Sequence, residues 1–204
     1  FHVGSQCLDP DAYRVAIDLA AQAVEKAQVE LHALDVGGGF PAQYLGTNMP
    51  PLEEYMRTIE DAAKSIHLRR DCVLMCEPGR ALVADGASLV TQVQLRKEDK
   101  LYINDGIYGA LSETVQGGIK LPARMWRLKG EHAREYMDFT VSGPTCDSLD
   151  VLPYKIPLPA DIEEGDWIEI DRLGAYSNAN ATRFNGFYPE TWITVHDDPI
   201  GHVK

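Results

Sequence analysis

The sequence of 204 residues predicts an α/β first half followed by a mainly β second half. Two observations lead to this fold class. Up to about residue 86, strand-like apolar stretches alternate with helical patterns. Beyond that point, short strand-like stretches follow one another, and the turns between them are rich in Gly, Pro and Asp. We therefore expect two domains, residues 1–86 and residues 87–204.

The elements of the first half can be assigned in order. Asp9 or Asp11 can cap a helix that has Pro10 in its first turn, and apolar residues then recur at helical spacing as far as Ala27. The predicted elements are a strand at residues 1–3, this helix, a strand at 31–36, a helix at 51–66 and a strand at 72–76. Strands that alternate with helices in this way indicate a parallel sheet.

Polar motifs follow the ends of these predicted strands, which is where a (β/α)₈ barrel carries its chemistry. Three strands cannot close such a barrel. The chain also opens directly on a stretch of functional character, Phe-His-Val-Gly-Ser-Gln at residues 1–6. We therefore expect these 204 residues to be the C-terminal part of a longer enzyme.

The second half contains mostly short strands. Pro153, Pro157 and Pro159 mark an irregular edge, because proline cannot donate a hydrogen bond to a neighbouring strand. One short helix is predicted at residues 108–115. The predicted strands lie at residues 88–95, 101–104, 123–128, 137–141, 167–170 and 191–195.

Composition and charge exclude several classes of function. The chain has 19 Lys and Arg residues against 31 Asp and Glu residues, a net charge of −12, which disfavours nucleic-acid binding. No apolar stretch approaches the roughly 20 residues of a membrane span. Cys72 and Cys76 have no second Cys or His pair near them, which disfavours a zinc site, and we interpret them as buried thiols in an apolar strand.

Two motifs at strand ends could bind an anion. The run Gly37-Gly38-Gly39 lets backbone N–H groups approach a phosphate closely, although the run taken alone slightly favours a tight loop without a ligand. In Glu77-Pro78-Gly79-Arg80, a rigid turn holds an acid and a base three residues apart. Arg80 can bind a phosphate and Glu77 a cationic ring nitrogen; the alternative is a local salt bridge.

Four further residues have side chains suited to a cofactor or a substrate. His2 and Ser5 stand at another predicted strand end. Cys146 and Asp147 lie in a turn that presents a thiol beside a carboxylate, and this pair can supply a proton donor and an anchor for an ammonium group. A buried thiol in a simple turn is the alternative. Together with the phosphate-type motifs, these residues describe a site for pyridoxal 5′-phosphate (PLP).

At this point the sequence resembles the fold-type III PLP-dependent amino-acid decarboxylases, a group that includes ornithine, lysine and diaminopimelate decarboxylases. The resemblance covers nearly the whole chain and is closest to the ornithine branch. It rests on six motifs in order: Phe-His-Val-Gly-Ser-Gln, Gly-Gly-Gly-Phe, Glu-Pro-Gly-Arg, Cys-Asp-Ser-Leu-Asp, Gly-Ala-Tyr and Phe-Asn-Gly-Phe. It implies a (β/α)₈ barrel joined to a Greek-key-like β barrel, in a cytoplasmic homodimer whose subunits share their active sites.

The resemblance also implies a role for each site residue. His2 stacks on the cofactor ring, and Glu77 pairs with the pyridine nitrogen. Cys146 protonates the substrate Cα, while Asp147 binds its distal amine and Phe184 lines the pocket. The expected phosphate cup consists of Ser5, Gly37, Gly38, Gly39, Gly79, Arg80 and Tyr176.

Two departures from the family pattern limit these expectations. No lysine of this chain matches the one that holds the cofactor covalently, so the chain alone is expected to be inactive. The acid that helps ornithine decarboxylases bind the substrate amine is also missing, because its position falls near Gly117. Glu113 could replace it, although an exposed helix glutamate is the simpler interpretation.

The expected activity is therefore decarboxylation of a basic amino acid. Ornithine, giving putrescine for polyamine biosynthesis, is the first substrate to consider, lysine the second and another basic amino acid the third. A diaminopimelate decarboxylase and an inactive homologue that binds a regulatory partner remain as alternatives.

Overall fold

A computed structural model describes residues 1–66 and 68–196. The chain forms two compact units. The first comprises Phe1–Gln43 and Thr47–Leu82, and the second comprises Tyr44–Gly46 and the chain from Val83 onward. The predicted domain boundary at residues 86 and 87 stays a prediction.

The first unit contains two parallel strands and the helices that accompany them. Strands β1 (Leu31–Asp35) and β2 (Leu68–Met75) pair in parallel, with Leu34 opposite Leu74, as the strand–helix alternation predicted. The helices are α1 (Asp11–Ala27) and α2 (Leu52–Ala63), and α3 (Gly79–Val83) begins in this unit. The strand predicted at residues 1–3 is absent. The Phe1 nitrogen donates to Asp35 O at 3.0 Å, and one such contact does not make a ladder.

The core of the first unit is aromatic at its centre. The rings of Tyr13 and Phe40 stack at 4.9 Å, and Tyr55 meets Tyr13 edge-on at 6.0 Å. All three side chains are almost fully buried. Such pairs add roughly 0.5–1.5 kcal/mol beyond the burial of their area. The three rings therefore pack α1, α2 and the loop after β1 against one another.

Strand β2 exposes apolar side chains. Val73 is 55% exposed and Met75 is 48% exposed. Cys72 is partly exposed and Cys76 is exposed, so their interpretation as buried thiols was wrong. Within the described part of the chain, β2 pairs only with β1. An apolar run therefore did not imply burial here.

The second unit contains a six-stranded sheet in the order β5-β8-β3-β4-β6-β7. Of these strands, β4 and β6 pair in parallel, and the other neighbouring pairs are antiparallel. The two edge strands, β5 and β7, contact each other, so the sheet curls as a barrel-like structure does. Its strands are β3 (Leu89–Lys97), β4 (Lys100–Ile103), β5 (Ala123–Trp126), β6 (Tyr136–Ser142), β7 (Ile156–Pro159) and β8 (Trp167–Ile170).

Three predictions for the second half differ from the structure. Residues 191–195 form no strand. The proline-marked edge at Pro157 and Pro159 is itself strand β7, which is possible because β7 is an edge strand. The helix expected at residues 108–115 is reduced to α4 (Glu113–Gln116) after a series of turns. Sequence patterns did not predict α5 (Ser177–Asn180) or the 3₁₀ turns Ala84–Gly86 and Phe184–Gly186.

An ion-pair network that is buried at Asp166 and exposed at Asp161 joins two segments of the second unit. The guanidinium of Arg127 contacts Asp161 at 2.8 Å and Asp166 at 2.7 Å. Asp166 is only 5% exposed, and it also accepts the Glu163 N–H at 2.9 Å. The segment after β5 is thereby fixed to the segment before β8. None of the helices formed by residues 1–66 and 68–196 is long and apolar enough to cross a membrane.

Candidate active site

In the first unit, the glycine turn packs directly against the opening segment of the chain. Gly37 and Gly39 have φ values of 69° and 105°, which favour glycine. A Cβ atom on Gly37 would lie 1.8 Å from Phe1 O, and one on Gly39 would lie 2.6 Å from Gly4 O. Only glycine therefore allows the two segments to approach this closely.

His2 and Glu77 converge on the middle glycine of this turn. A Cβ on Gly38 would lie 3.2 Å from His2 Cε1 and 3.0 Å from the backbone oxygen of Glu77. The Glu77 N–H also donates to Gly37 O at 2.9 Å. Both His2 and Glu77 are exposed. The structure thus brings three sequence motifs together at one accessible place.

The remaining residues proposed for this unit differ in exposure. Arg80 is 7% exposed at the start of α3, and the Gly79 N–H donates to Glu77 O at 2.8 Å. Ser5 is exposed in a turn. A buried, permanently charged guanidinium requires polar surroundings and is suited to an anion such as phosphate.

Hydrogen bonds within the protein fix the glycine turn. The Tyr13 hydroxyl donates to Gly38 O at 3.0 Å, and the Cys7 N–H donates to Gly39 O at 2.9 Å. The Gly37 N–H donates to Asp35 Oδ1 at 2.9 Å, so this amide serves the turn itself. Burial, followed by the nearby Cys7, raises the pKa of Tyr13. The Tyr13 hydroxyl therefore stays protonated as a donor.

A second tyrosine holds the opening segment. The Tyr55 hydroxyl donates to Cys7 O at 2.9 Å. Burial, followed by Cys7 and Asp9, raises the pKa of Tyr55 to about 12. Tyr55 lies in α2, within the helix that the sequence predicted at residues 51–66. Its hydroxyl contact joins residues 48 positions apart, and no local pattern could have found it.

In the second unit, Asp147 is held by a tyrosine that sequence analysis did not select. The Tyr108 hydroxyl donates to Asp147 Oδ2, and the Leu149 N–H donates to Asp147 Oδ1 at 2.9 Å. These bonds, the one from Tyr108 first, lower the pKa of Asp147. Asp147 is therefore well suited to stay anionic and bind an ammonium group. The only available signal for Tyr108 was its place in Asn-Asp-Gly-Ile-Tyr-Gly.

Tyr108 also carries the turn that contains Phe184. The Phe184 ring lies 4.9 Å from the ring of Tyr108. The N–H and the hydroxyl of Thr182 both donate to Tyr108 O at 2.8 Å. One residue therefore connects the predicted substrate anchor, Asp147, with the predicted pocket-lining ring.

Cys146 is exposed next to the same turn. Its Sγ lies 3.6 Å from Asn185 Nδ2 and 4.0 Å from Asn185 Oδ1. Asn185 has a left-handed φ of 55°. Buried Asp150 holds the loop that carries Cys146 by accepting the Thr145 N–H at 3.1 Å and the Thr145 hydroxyl at 2.8 Å. The thiol is thus presented by a well-fixed loop.

The second unit also contains Tyr176, Glu113 and Gly117. Tyr176 is 46% exposed with a left-handed φ of 62°, and its part in the phosphate cup stays a prediction. Glu113 is 7% exposed, so its interpretation as an exposed helix glutamate was wrong. Gly117 follows the end of α4, and its N–H donates to Glu113 O at 2.9 Å. Residues 1–66 and 68–196 contain no group of three His, Cys, Asp or Glu that could hold a metal ion.

Comparisons with known proteins identify the family of the chain. A family model described as "Pyridoxal-dependent decarboxylase, pyridoxal binding domain" matches residues 1–84. The chain is 34% identical to a lysine/ornithine decarboxylase of Selenomonas ruminantium over 98% of the chain and 50% of the relative. It is 31% identical to antizyme inhibitor 2 of Xenopus laevis over 92% of the chain and 44% of the relative.

A solved structure extends the likeness to the fold. The arginine decarboxylase of Paramecium bursaria Chlorella virus, bound to agmatine, superposes with a TM-score of 0.78 at 30% identity. The match covers 92% of this chain and 52% of that one. The chain belongs to the fold-type III PLP-dependent decarboxylase family, and it spans about half the length of the curated relatives it matches.

The residues present fit the cofactor of this family. A glycine turn that leaves no room for a Cβ lies beside the exposed His2 ring and the backbone of Glu77, and these residue types suit a ring and a phosphate. PLP is the cofactor of this family.

Proposed function

We propose that the full-length protein decarboxylates a basic L-amino acid with PLP as its cofactor. The convergence of His2 and Glu77 on Gly38 supports this proposal best, because it joins the predicted ring contact, the predicted nitrogen partner and the glycine turn. Similarity to decarboxylases of lysine, ornithine and arginine supports the substrate class.

In this proposal, residues of the first unit hold the cofactor. Bound PLP withdraws electrons from the substrate Cα so that CO₂ can leave. The Glu77 carboxylate keeps the pyridine nitrogen protonated, because a nearby negative charge favours the charged form of a base. His2 covers one face of the ring. Ser5, Gly38, Gly39 and the Arg80 guanidinium bind the phosphate, and Gly37 and Gly79 shape the backbone around it.

Residues of the second unit act on the substrate. Asp147, kept anionic by Tyr108, binds the distal ammonium group of the amino acid. The Cys146 thiol donates a proton to Cα after CO₂ has left. Phe184 lines the pocket beside Tyr108. In the homodimer that we propose, these residues enter the active site of the partner subunit, and Tyr176 completes a phosphate cup.

Ornithine is the first substrate of this proposal, and its product is putrescine for polyamine biosynthesis. Lysine is second, since the Selenomonas ruminantium relative is named for both. Gly117 offers no carboxylate for the substrate amine, which leaves the length of the substrate side chain open. Arginine or another basic amino acid is therefore third. Diaminopimelate is the least favoured substrate. Its distal end carries a carboxylate as well as an ammonium group, and the Asp147 carboxylate suits only the ammonium group.

The lysine that binds the cofactor covalently must come from sequence that this chain does not contain. We propose that the same sequence completes a (β/α)₈ barrel around β1 and β2. The exposed apolar residues of β2 support this arrangement, since further strands or helices would bury them.

Release of labelled CO₂ tests the proposal. Full-length protein with PLP should release CO₂ from ornithine, more slowly from lysine, and not from diaminopimelate. The ratio of the rates identifies the substrate. Absence of release from every basic amino acid, including arginine, would contradict a decarboxylase.

A second candidate is a homologue that acts by binding a regulatory partner. Similarity to antizyme inhibitor 2 and the missing acid at Gly117 favour it. The presence of Glu77, Arg80, Cys146 and Asp147 together argues against it. Absorbance of PLP bound to the full-length protein separates the two: retention of the cofactor supports the enzyme, and loss of both cofactor and turnover supports the regulator.

A further inference from the structure

Gln6 makes a two-point contact with the loop that follows the glycine turn. Its Nε2 donates to Ala42 O at 2.6 Å, and its Oε1 accepts the Ala42 N–H at 3.0 Å. One side-chain amide thus serves both backbone groups of a single residue, much as a neighbouring strand would. Ala42 is 7% exposed, and buried backbone groups are costly to leave without hydrogen bonds.

The backbone of Gln6 accepts an unfavourable conformation for this contact. Its φ of 55° lies in the left-handed region, which glycine adopts more readily than residues with a Cβ. Glycine has no amide to offer Ala42. The side-chain contact therefore explains a glutamine at this position, and strain of this kind gathers at functional sites.

The contact joins the two segments to which we assign the phosphate. Gln6 directly follows Ser5, and Ala42 lies three residues beyond Gly39. One residue further, the Cys7 N–H donates to Gly39 O at 2.9 Å. The Ser5 turn and the glycine turn are thereby fastened to each other at two neighbouring points.

We propose that Gln6 is a positioning residue for the phosphate site. It holds the Ser5 turn against the Gly37–Gly39 turn, so that donors from both face the same anion before the cofactor arrives. This inference rests on the proposed assignment of Ser5 and the glycine turn to the PLP phosphate. Because the donors are arranged in advance, binding of the phosphate does not have to order two loops.

The proposal predicts an effect that depends on the phosphate group of the ligand. PLP carries the phosphate and pyridoxal lacks it, while their rings are the same. Loss of the Gln6 amide should weaken PLP binding about tenfold and leave pyridoxal binding within about twofold, since only the first ligand uses the joined turns. General damage to the fold would weaken both ligands together.

Two variants of the full-length protein separate the contact from the strain. Gln6→Gly removes the amide and suits the left-handed backbone, whereas Gln6→Met removes the amide and keeps a side chain there. Gln43→Met is the matched control, because Gln43 is an exposed glutamine of the same loop whose Nε2 donates to Thr47 O at 2.7 Å. Dissociation constants for PLP and pyridoxal come from absorbance titration of the apoprotein, and thermal unfolding reports stability.

The expected result is weaker PLP binding in both Gln6 variants, unchanged pyridoxal binding, and wild-type values for Gln43→Met. Unchanged PLP binding in Gln6→Gly would overturn the positioning role, as would equal weakening of both ligands. A wild-type protein that binds PLP but releases no CO₂ would contradict the proposed activity alone. A wild-type protein that binds no PLP would overturn both.

Discussion

The Tyr108 hydroxyl donates a hydrogen bond to Asp147 Oδ2, across 39 positions of sequence. The same tyrosine packs on Phe184 and accepts two hydrogen bonds from Thr182. Tyr108 therefore joins its own segment to two others, through its side chain to Asp147 and Phe184 and through its backbone oxygen to Thr182. The hydrogen bond from Tyr108 lowers the pKa of Asp147 in the Cys-Asp loop, and the ring of Tyr108 packs against Phe184 and positions the Phe-Asn-Gly-Phe turn.

Tyr108→Phe should weaken substrate binding more than it slows the chemical step. The ring remains against Phe184, but Asp147 loses the donor that holds its orientation and lowers its pKa. We expect KM for the basic amino acid to rise about fivefold with kcat within about twofold, the pattern for loss of binding shared by ground and transition states. Steady-state kinetics of the full-length protein measure both. Tyr102→Phe, in β4, is the control, and an equal change in KM for the two variants would contradict the role.

Cys146→Ala should reduce kcat with little change in KM, because the thiol is proposed to donate the proton to Cα. General acids contribute roughly 10²–10⁴-fold, so a fall of about 10²-fold is expected. Cys72→Ala, at another accessible cysteine, should retain wild-type kcat. A wild-type rate of CO₂ release and of amine formation in Cys146→Ala would exclude the thiol as the donor.

Gly39→Ala should impair cofactor binding. Its new Cβ would lie 2.6 Å from Gly4 O in a backbone with φ of 105°, so the two turns must separate. We expect the dissociation constant for PLP to rise at least about tenfold, since each factor of ten corresponds to only about 1.4 kcal/mol. Gly46→Ala controls for strain alone, because φ is 76° there and no atom of the described residues lies within 4 Å of the added Cβ. Similar affinities of Gly39→Ala and Gly46→Ala for PLP would show that cofactor binding does not require the close approach of the two turns.

Alkaline pH should destabilise the first unit. The pKa of Tyr55 is raised to about 12 in the folded protein, mainly by burial. The folded state then holds this proton more tightly than the unfolded state, in which the pKa is about 10. The contribution is complete below a pH of about 10 and is lost as the pH rises toward the folded-state value.

We therefore expect the urea midpoint of the full-length protein to fall at high pH, and to fall less in Tyr55→Phe. Chemical denaturation at a series of pH values measures this slope. Equal slopes for wild type and Tyr55→Phe would show that Tyr55 does not titrate with unfolding.

Arg127→Met should destabilise the second unit by about 3 kcal/mol, because it leaves the buried Asp166 without its cation. Lys155→Met breaks the exposed pair with Asp99 and should cost far less stability, because solvent screens exposed ion pairs. Urea denaturation compares the two variants. Equal losses of stability would mean that burial of Asp166 does not govern the difference.

Local patterns predicted most elements of the fold because periodicity and turn residues are local signals. Strands β1 and β8 and helices α1 and α2 fall where those patterns placed them. Strand β7 was missed because its prolines are tolerated only at a sheet edge, and a sequence does not state which strand is at the edge. The exposure of β2 was missed for a related reason, since burial depends on what covers a strand.

The motifs at the site were visible in the sequence, whereas the residues that hold them were not. Gly37, Glu77 and Asp147 stand in recognisable turns. Tyr108 and Gln6 act through partners 39 and 36 positions away, and no local spacing encodes such pairs. Sequence analysis therefore found the groups proposed to touch ligands and missed those that arrange them.

The shared contacts of Tyr108 have a consequence for the order in which this protein acquires its shape. The bonds from Thr182 to Tyr108 close a loop of 74 residues, and the bond to Asp147 closes one of 39. Long closures carry a larger entropic penalty and form after local structure. We expect the contacts of Tyr108 with Asp147 and Thr182 to form late, once the strands between these segments have paired. A nascent chain would then carry a formed sheet before it has a place for a substrate.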